Sequence, residues 1–414
     1  MSAQSRPMTK KVLIAGGGIG GLGMALACAQ AGVQVSLLEQ APTFSEVGAG
    51  IQLGPNAVRV LADWGLSAPL QAVAAFPERV RVCDAHSGDI LGQLELGPRA
   101  IRTYGQPYAT IHRADAHQLL LDAVKAHRGV TVHLNERVRS LYEQDDLVRV
   151  HTEAGNNYQS EALLGCDGLW SVVRQHVMGG PEGLTTPPRF SGHLAYRGLV
   201  EAADLPVHLR ASVVTVWLGP RLHVVHYPVC AGRKFNVVAV VHGRQTGNPQ
   251  SWTHEANRAD LLQAMGLVHT HLMDMLDTVS NWKLWPLNDR PPMTGAYEHA
   301  RGRVLLAGDA AHPMRPYLAQ GAAMALEDAW TLGLLLLQTA PLDVHDPAGA
   351  WPTLFQRFAQ MRWQRNSRVQ AHAIRNGRAF HADGWMRLAR NSAMALLGEH
   401  LLDNPWLYSG PPRP

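Results

Sequence analysis

The stretch KVLIAGGGIGGLGMALACAQAGVQVSLLEQ, residues 11–40, decides the fold. It reads strand, glycine turn, helix, strand. Residues 12–15 are an unbroken apolar run, the pattern of a strand buried on both faces of a parallel sheet. Gly16, Gly18 and Gly21 then fill the three glycine positions of G-x-G-x-x-G. The first makes the tight turn, the second lets backbone approach a pyrophosphate, and the third lets the helix pack close to the strand. The helix that follows offers unpaired N–H groups and the positive end of its dipole to phosphate oxygens. Residues 33–38 are expected to form the second strand. Glu39 ends it, eighteen residues past Gly21, where an acid hydrogen-bonds a ribose hydroxyl. An acid at that point suits an unphosphorylated ribose, so FAD or NAD over NADP. A ligand-free glycine turn is the alternative, and it would have no need of the spaced acid.

A chain of 414 residues is too long for one small core and points to two or three domains. Hydrophobic residues at 46% and charged ones at 17% describe a globular protein. The net charge of +4 comes with no dense Lys/Arg patch, so neither nucleic acid nor an anionic membrane is implied as a partner. Cys28, Cys83, Cys166 and Cys230 are far apart, without the spacing of a disulfide framework or a zinc site, which fits a reducing cytoplasm. Residues 1–11 read as a polar tail without the apolar core of a signal peptide. The longest apolar run, residues 332–337, is far short of the ~20 residues of a membrane span.

Further motifs follow in order. In EVGAGIQLGPNAVRVLADWGL (46–66), Gly48, Gly50 and Gly54 keep a loop small, and a helix starts near Asn56. IHRADAHQLLLDAV (111–124) opens a helix with Arg113 at its start. LLGCDGLWSVVR (163–174) is a strand ending at Asp167-Gly168. In RVLLAGDAAHPMRPYLAQGAAMALEDA (303–329), an apolar strand ends at Asp309, and an alanine-rich helix pattern follows. A carboxylate at the tip of a core strand is costly unless something polar sits against it. Taken singly, Asp309 could be a helix cap, Asp167-Gly168 an ordinary turn and Arg113 a surface ion pair.

Residues 212–243, SVVTVWLGPRLHVVHYPVCAGRKFNVVAVVHG, change the pattern to three strand-like runs separated by turns, an antiparallel meander. On its central run, LHVVHYPV, His223, Val225 and Tyr227 share one face and His226 takes the other. His223 and Tyr227 are ~13 Å apart along an ideal strand at ~3.3 Å per residue, so both can lean toward a ring held between them. A histidine and a tyrosine so placed can take a proton from a phenol. A core tyrosine beside a satisfied histidine is the bland alternative, and WKLWP (282–286) reads as packing.

With these motifs in this order, the chain resembles the single-component flavin aromatic hydroxylases, which share the fold of para-hydroxybenzoate hydroxylase. The resemblance implies an α/β fold: a Rossmann-like FAD-binding domain, an inserted antiparallel-sheet substrate domain and a helical C-terminal region. The expected boundaries are 1–75, 100–175 and 270–330 for the FAD-binding domain, 76–99 and 176–269 for the substrate domain, and 331–414 for the helical region. It also implies tightly but non-covalently bound FAD. Gly16, Gly18, Gly21, Glu39 and Arg113 would serve its phosphates and ribose, and Asp309 its ribityl hydroxyls. Gln52 would lie at the flavin edge and Pro316 beside the isoalloxazine. Gly321 and Ala322 would begin a helix aimed at the flavin N1/C2 carbonyl, where a dipole stabilises negative charge. Asp167 would serve FAD, nicotinamide or both.

By the same likeness His223 is the base that forms the phenolate, and Tyr227 holds the ring hydroxyl or carboxylate. No second glycine fingerprint follows a strand, so NADH would visit transiently. The implied cycle runs through a C4a-hydroperoxyflavin formed with dioxygen and hydroxylates a small aromatic carboxylate. The leading substrate is 3-hydroxybenzoate, converted to gentisate; salicylate and 6-hydroxynicotinate come next. Two departures bear on that choice. Position 316 is proline where some 3-hydroxybenzoate 6-hydroxylases have a polar residue, and position 52 is glutamine where the 6-hydroxynicotinate enzymes use histidine. His312 and Arg315 lie in the loop over the flavin without an assigned role. A flavin oxidase or dehydrogenase is the other enzyme class to weigh, and a flavin-binding escort protein the non-enzyme option. The C-terminal helices are expected to make a packing cap and a homodimer surface.

Overall fold

The computed structural model describes residues 10–44, 49–179, 186–245, 247–248, 254–338 and 350–412. Gly48 and most of the polar tail lie outside the described residues. The first layer is a six-stranded sheet in the order Ala300–Arg301, Val304–Leu306, Ala162–Gly165, Lys11–Ala15, Gln34–Leu38, Val130–His133. Its five longer strands run parallel, and Ala300–Arg301 is antiparallel at the edge. The run Val12–Leu13–Ile14–Ala15 is buried throughout, as a strand covered on both faces must be.

Helix Ile19–Gln30 covers one face of this sheet and packs on helix Gly321–Gln338. Small residues make that contact close. A Cβ added to Gly23 would sit 3.2 Å from that of Ala329, and one on Gly333 would sit 3.1 Å from that of Ala27. The alanine-rich pattern after Asp309 is therefore a packing surface as well as a run of good helix formers.

The second layer is an eight-stranded sheet, antiparallel except where Val213–Gly219 runs parallel to Arg79–Asp84. The meander Val213–Gly219, Leu222–Val229, Lys234–His242 is present as read from the sequence. The sheet also takes in Ile90–Glu95 on one side, and Arg189–Glu201 and Lys283–Asp289 on the other. By sheet membership the substrate layer thus reaches Asp289, beyond the expected boundary at 269. Helices Arg258–Met265 and Thr270–Asp277 cover its far face, where Leu261, Leu272, Met275 and Trp282 join Val224, Val237 and Ala239 in one core. A separate three-stranded meander over residues 138–160 was not anticipated. Beyond Gly321–Gln338, the helices Ala350–Phe380 and Gly384–Leu397 brace both layers.

Candidate active site

The three separated motifs converge on one edge. The glycine turn, Asp167-Gly168 and Gly308-Asp309 follow the C-terminal ends of three adjacent parallel strands. Ligands of open α/β sheets bind outside those ends.

The fingerprint glycines are under steric demand. Gly16 has φ +99°, and a Cβ there would lie 2.4 Å from the Cys166 carbonyl oxygen. A Cβ at Gly21 would lie 1.8 Å from the Gly16 carbonyl oxygen. Gly18 instead faces open space, with Arg113 Nη2 4.0 Å from where its Cβ would be. Helix Ile19–Gln30 has no side-chain cap and no acid in its first turn, so its terminal amides are left to an anion. Glu39 stands at the turn, its Oε2 accepting from Gly17 N–H at 2.6 Å and its Oε1 from Ala41 N–H at 2.8 Å.

Asp309 opens into the cleft within 4.0 Å of the Cβ position of Gly321. The protein mass around it raises its carboxyl pKa, with His312 and Arg113 pulling the other way. Gly321 and Ala322 are half-exposed at the start of their helix, and Pro316, in the turn before it, is exposed. Gln52 lies on strand Gly50–Leu53, its Oε1 accepting from Tyr108 O–H at 2.7 Å.

Asp167, expected to serve FAD, nicotinamide or both, is engaged within its own turn. Its carboxylate takes Ser171 O–H at 2.5 Å and the N–H groups of Val172 and Val173 at 2.8 and 3.2 Å, capping the turn into helix Val173–Val177. What reaches the fingerprint is its backbone: its Cα lies 3.1 Å from a Cβ built on Gly16. The loop residues left without a role also find partners. Arg315 pairs with Asp289 at 2.5 Å, and His312 Nε2 lies 2.5 Å from Asp328 Oδ2.

Facing this edge, the eight-stranded sheet carries a row of half-exposed side chains among buried ones. Val216, Val225, Val238 and Arg197 are register partners across four adjacent strands. His223 and Tyr227 flank Val225 on the same face and are buried. His223 lies against Tyr317, ring centroids 5.2 Å apart, and its Nδ1 lies 2.7 Å from His381 Nε2. Burial, with His193 nearby, lowers its pKa to about 3. Burial raises the Tyr227 phenol, which neighbours Gln52 and Asn236. Asn236 Oδ1 in turn accepts from Gly50 N–H at 2.6 Å, tying the sheet to strand Gly50–Leu53.

Several site residues escaped sequence reasoning. The guanidinium of Arg197 lies 3.9 Å from the centroid of the Trp285 ring, and burial lowers its pKa to about 9. Its Nε is buried without a hydrogen bond among the described residues. Trp285 belongs to the WKLWP segment read as packing; Trp282 of the same segment does pack in the core. Tyr317 places its hydroxyl 2.5 Å from His193 Nδ1. The strand alternation of HLAYRGLV could have flagged Arg197; nothing local marks His193, His381 or Tyr317.

A family described as "FAD binding domain" matches residues 9–341. The chain is 37% identical over 382 residues to the 3-hydroxybenzoate 6-hydroxylase of Klebsiella oxytoca, covering 92% of this chain and 91% of that one. It is 36% identical over 386 residues to the enzyme of the same name from Polaromonas naphthalenivorans (strain CJ2), covering 93% and 92%. A solved salicylate hydroxylase substrate complex superposes with a TM-score of 0.79 at 25% identity over 98% of each chain. The donor set fits FAD: amides and Arg113 for two phosphates, Glu39 for a ribose, and Asp309 at the mouth of a helix for a hydroxylated linker.

Proposed function

Because the chain belongs to the FAD binding domain family, we propose that it is an FAD-dependent monooxygenase that hydroxylates a phenolic aromatic carboxylate, 3-hydroxybenzoate to gentisate, with NADH and dioxygen. The observation that carries this reading is the half-exposed valine row that ends at Arg197 and is flanked at Val225 by His223. Three valines make a flat apolar floor for a ring, and the two polar groups stand at its margins. FAD, when bound, supplies passage of electrons from the nicotinamide to dioxygen and delivery of one oxygen atom to the ring.

This chain's residues do the rest. Gly16, Gly18, Gly21, Glu39, Arg113 and Asp309 hold the cofactor, and Gly321 and Ala322 turn a helix N-terminus toward it. Pro316 and Gln52 border it, and the backbone at Asp167 supports the turn. His223 is neutral at working pH and takes the phenol proton through the nitrogen that His381 leaves open. The phenolate formed beside it is the counter-charge an imidazolium there requires. Tyr227 stays protonated and donates a hydrogen bond to the substrate. Arg197, stacked on Trp285 and with Nε to spare, meets the carboxylate. His223 and Arg197 lie two strands apart and two residues out of register, roughly 12 Å at ~4.8 Å per strand and ~3.3 Å per residue. A hydroxyl and a carboxylate set apart on the ring reach both, whereas the adjacent groups of salicylate do not.

The cysteines Cys28, Cys83, Cys166 and Cys230 are free, and no helix among the described residues is long and apolar enough to cross a membrane. Both support a cytoplasmic enzyme. Helix Gly384–Leu397 exposes Trp385, Leu388 and Leu396, which supports a homodimer.

The test is NADH consumption with 3-hydroxybenzoate, salicylate and 6-hydroxynicotinate, with products quantified by chromatography under isotopically labelled dioxygen. One labelled gentisate per NADH is expected from 3-hydroxybenzoate. Unlabelled product, or no hydroxylated product from any of the three, refutes the reading.

A further inference from the structure

We propose that His193, His242 and His381 form a binding site for a divalent transition-metal ion of the zinc type, one step removed from the valine floor. The three residues come from three elements. His193 and His242 face each other as a ladder pair between strands Arg189–Glu201 and Lys234–His242. His381 follows helix Ala350–Phe380. One ring nitrogen of each lies within 4.8 Å of the others, and the ring centroids are 4.6, 4.7 and 5.1 Å apart.

Two of the nitrogens point to a missing partner. His381 Nδ1 and His242 Nε2 are buried and carry no hydrogen bond among the described residues, although His381 is only 7% exposed. Buried polar atoms are rarely left so. Burial lowers the pKa of all three histidines, that of His193 to about 4, with neighbouring rings and Arg315 adding to it at His193 and His381, and Arg221 at His242. Neutral imidazole is the form that ligates a metal. Zinc–imidazole bonds of ~2.0–2.1 Å in a tetrahedral site put the nitrogens ~3.4 Å apart, so small ring rotations would close the triangle. Three histidines leave a fourth position for water or for the Tyr317 hydroxyl, 2.5 Å from His193 Nδ1.

Occupancy would reach His223 through the tautomer of His381. A metal on His381 Nδ1 forces the proton onto Nε2, which then donates to His223 Nδ1 across the 2.7 Å contact. Neutral His223 must then carry its own proton on Nε2, leaving no nitrogen to accept one from a substrate. Without the metal, His381 Nε2 accepts from His223 Nδ1–H, and His223 Nε2 is open. Metal at this site is thus inhibitory, a consequence that rests on His223 being the base proposed above.

The test is equilibrium dialysis of the FAD-loaded enzyme against zinc and, separately, cobalt, whose visible absorption reports a four-coordinate site. One equivalent is expected in the wild type and in His271→Ala, which alters an exposed histidine elsewhere, but not in His193→Ala, His242→Ala or His381→Ala. His242→Asn, at a half-exposed position, serves as the variant least able to disturb folding. Retention of the equivalent in all four cluster variants, or its absence from the wild type, overturns the site. Turnover is read separately. A fall in kcat of tenfold or more with zinc, reversed by a chelator, supports the tautomer coupling. One bound equivalent with unchanged kcat leaves the site standing and removes His223 from the role of base.

Discussion

Replacing Arg362 by methionine tests how the helix that begins at Gly321 is held in place. Arg362 is 1% exposed, on helix Ala350–Phe380, and it reaches two buried acids of helix Gly321–Gln338. Its Nε donates to Asp328 Oδ1 at 2.8 Å, its Nη1 to Glu327 Oε2 at 2.9 Å, and its Nη2 to Asn366 Oδ1 at 3.1 Å. The substitution falls unequally on the two acids. Glu327 keeps Arg365, which donates to both its oxygens at 2.7 and 2.8 Å, and Asn56 at 2.8 Å. Asp328 keeps His312, Asn366 and the Gly308 N–H, but loses its one arginine. Burial alone would raise the Asp328 pKa; His312 and Arg362 overcome that and hold it below the usual range. Stability from this ionised carboxylate is therefore present above an unfolded pKa of ~3.9 and lost as pH falls below it.

Removing one partner of a buried pair costs ~3–5 kcal/mol, a large share of a typical ~5–15 kcal/mol. Methionine fills most of the volume, so the loss is electrostatic and not a cavity. The assay is urea unfolding at pH 7, followed by tryptophan fluorescence and by release of bound FAD. The midpoint should fall with the slope unchanged, and flavin should leave in the same transition. Adding Asp328→Asn to Arg362→Met should recover part of the loss, because the stranded charge is gone. A cost below ~1 kcal/mol, or a double variant no better than the sum of the singles, would refute the reasoning.

Four further outcomes follow from the geometry. Gly21→Ala puts a methyl 1.8 Å from the Gly16 carbonyl oxygen and should cut FAD content of the purified protein at least tenfold, read from the visible flavin band. Arg197→Met should raise the KM for 3-hydroxybenzoate by about 10- to 100-fold, since a charged hydrogen bond is worth ~1.5–3 kcal/mol; an unchanged KM removes Arg197 from carboxylate recognition. His223→Asn should lower kcat by ~10²–10⁴ while FAD is retained, measured as gentisate formed per unit flavin. Ala319 has φ +52°, the left-handed region, so Ala319→Gly should relieve ~1 kcal/mol and raise the melting temperature in a thermal scan.

How much of this was legible depends on how local each signal is. The turn at Gly16–Gly21 could be read because strand, turn and helix are contiguous and each glycine answers a short-range demand. Asp309 could be read because an acid at the end of VLLA contradicts its own surroundings. Arg362, Glu327 and Asp328 could not: charges on helices read as solvated faces, and these become core only because two helices distant in sequence pack together. Lys283–Asp289 joins the far edge of the substrate sheet by pairing with Arg189–Glu201, a partner choice that strand propensity does not encode. The histidines at 193, 242 and 381 are hidden among 21 by the same non-locality.

Asp167 shows the converse case, in which the motif is legible and the engagement of its carboxylate is not. An acid before glycine after a core strand invites a ligand role, yet three donors within its own turn take the carboxylate first. A side chain that can close a local hydrogen-bonded turn commonly does so. Asp309 escapes that outcome because small residues follow it. Its own turn, Gly308–Ala310, closes through backbone hydrogen bonds from Ala311 and His312 to Gly308, and Asp328 takes the Gly308 N–H. The buried acid of the next helix does the capping, and the exposed one is left to face the cleft. The ion-pair network around Asp328 and the cleft-facing position of Asp309 are thus one arrangement, so if Asp309 holds the flavin as proposed, a substitution that loosens the first should be felt as weaker flavin retention at the second.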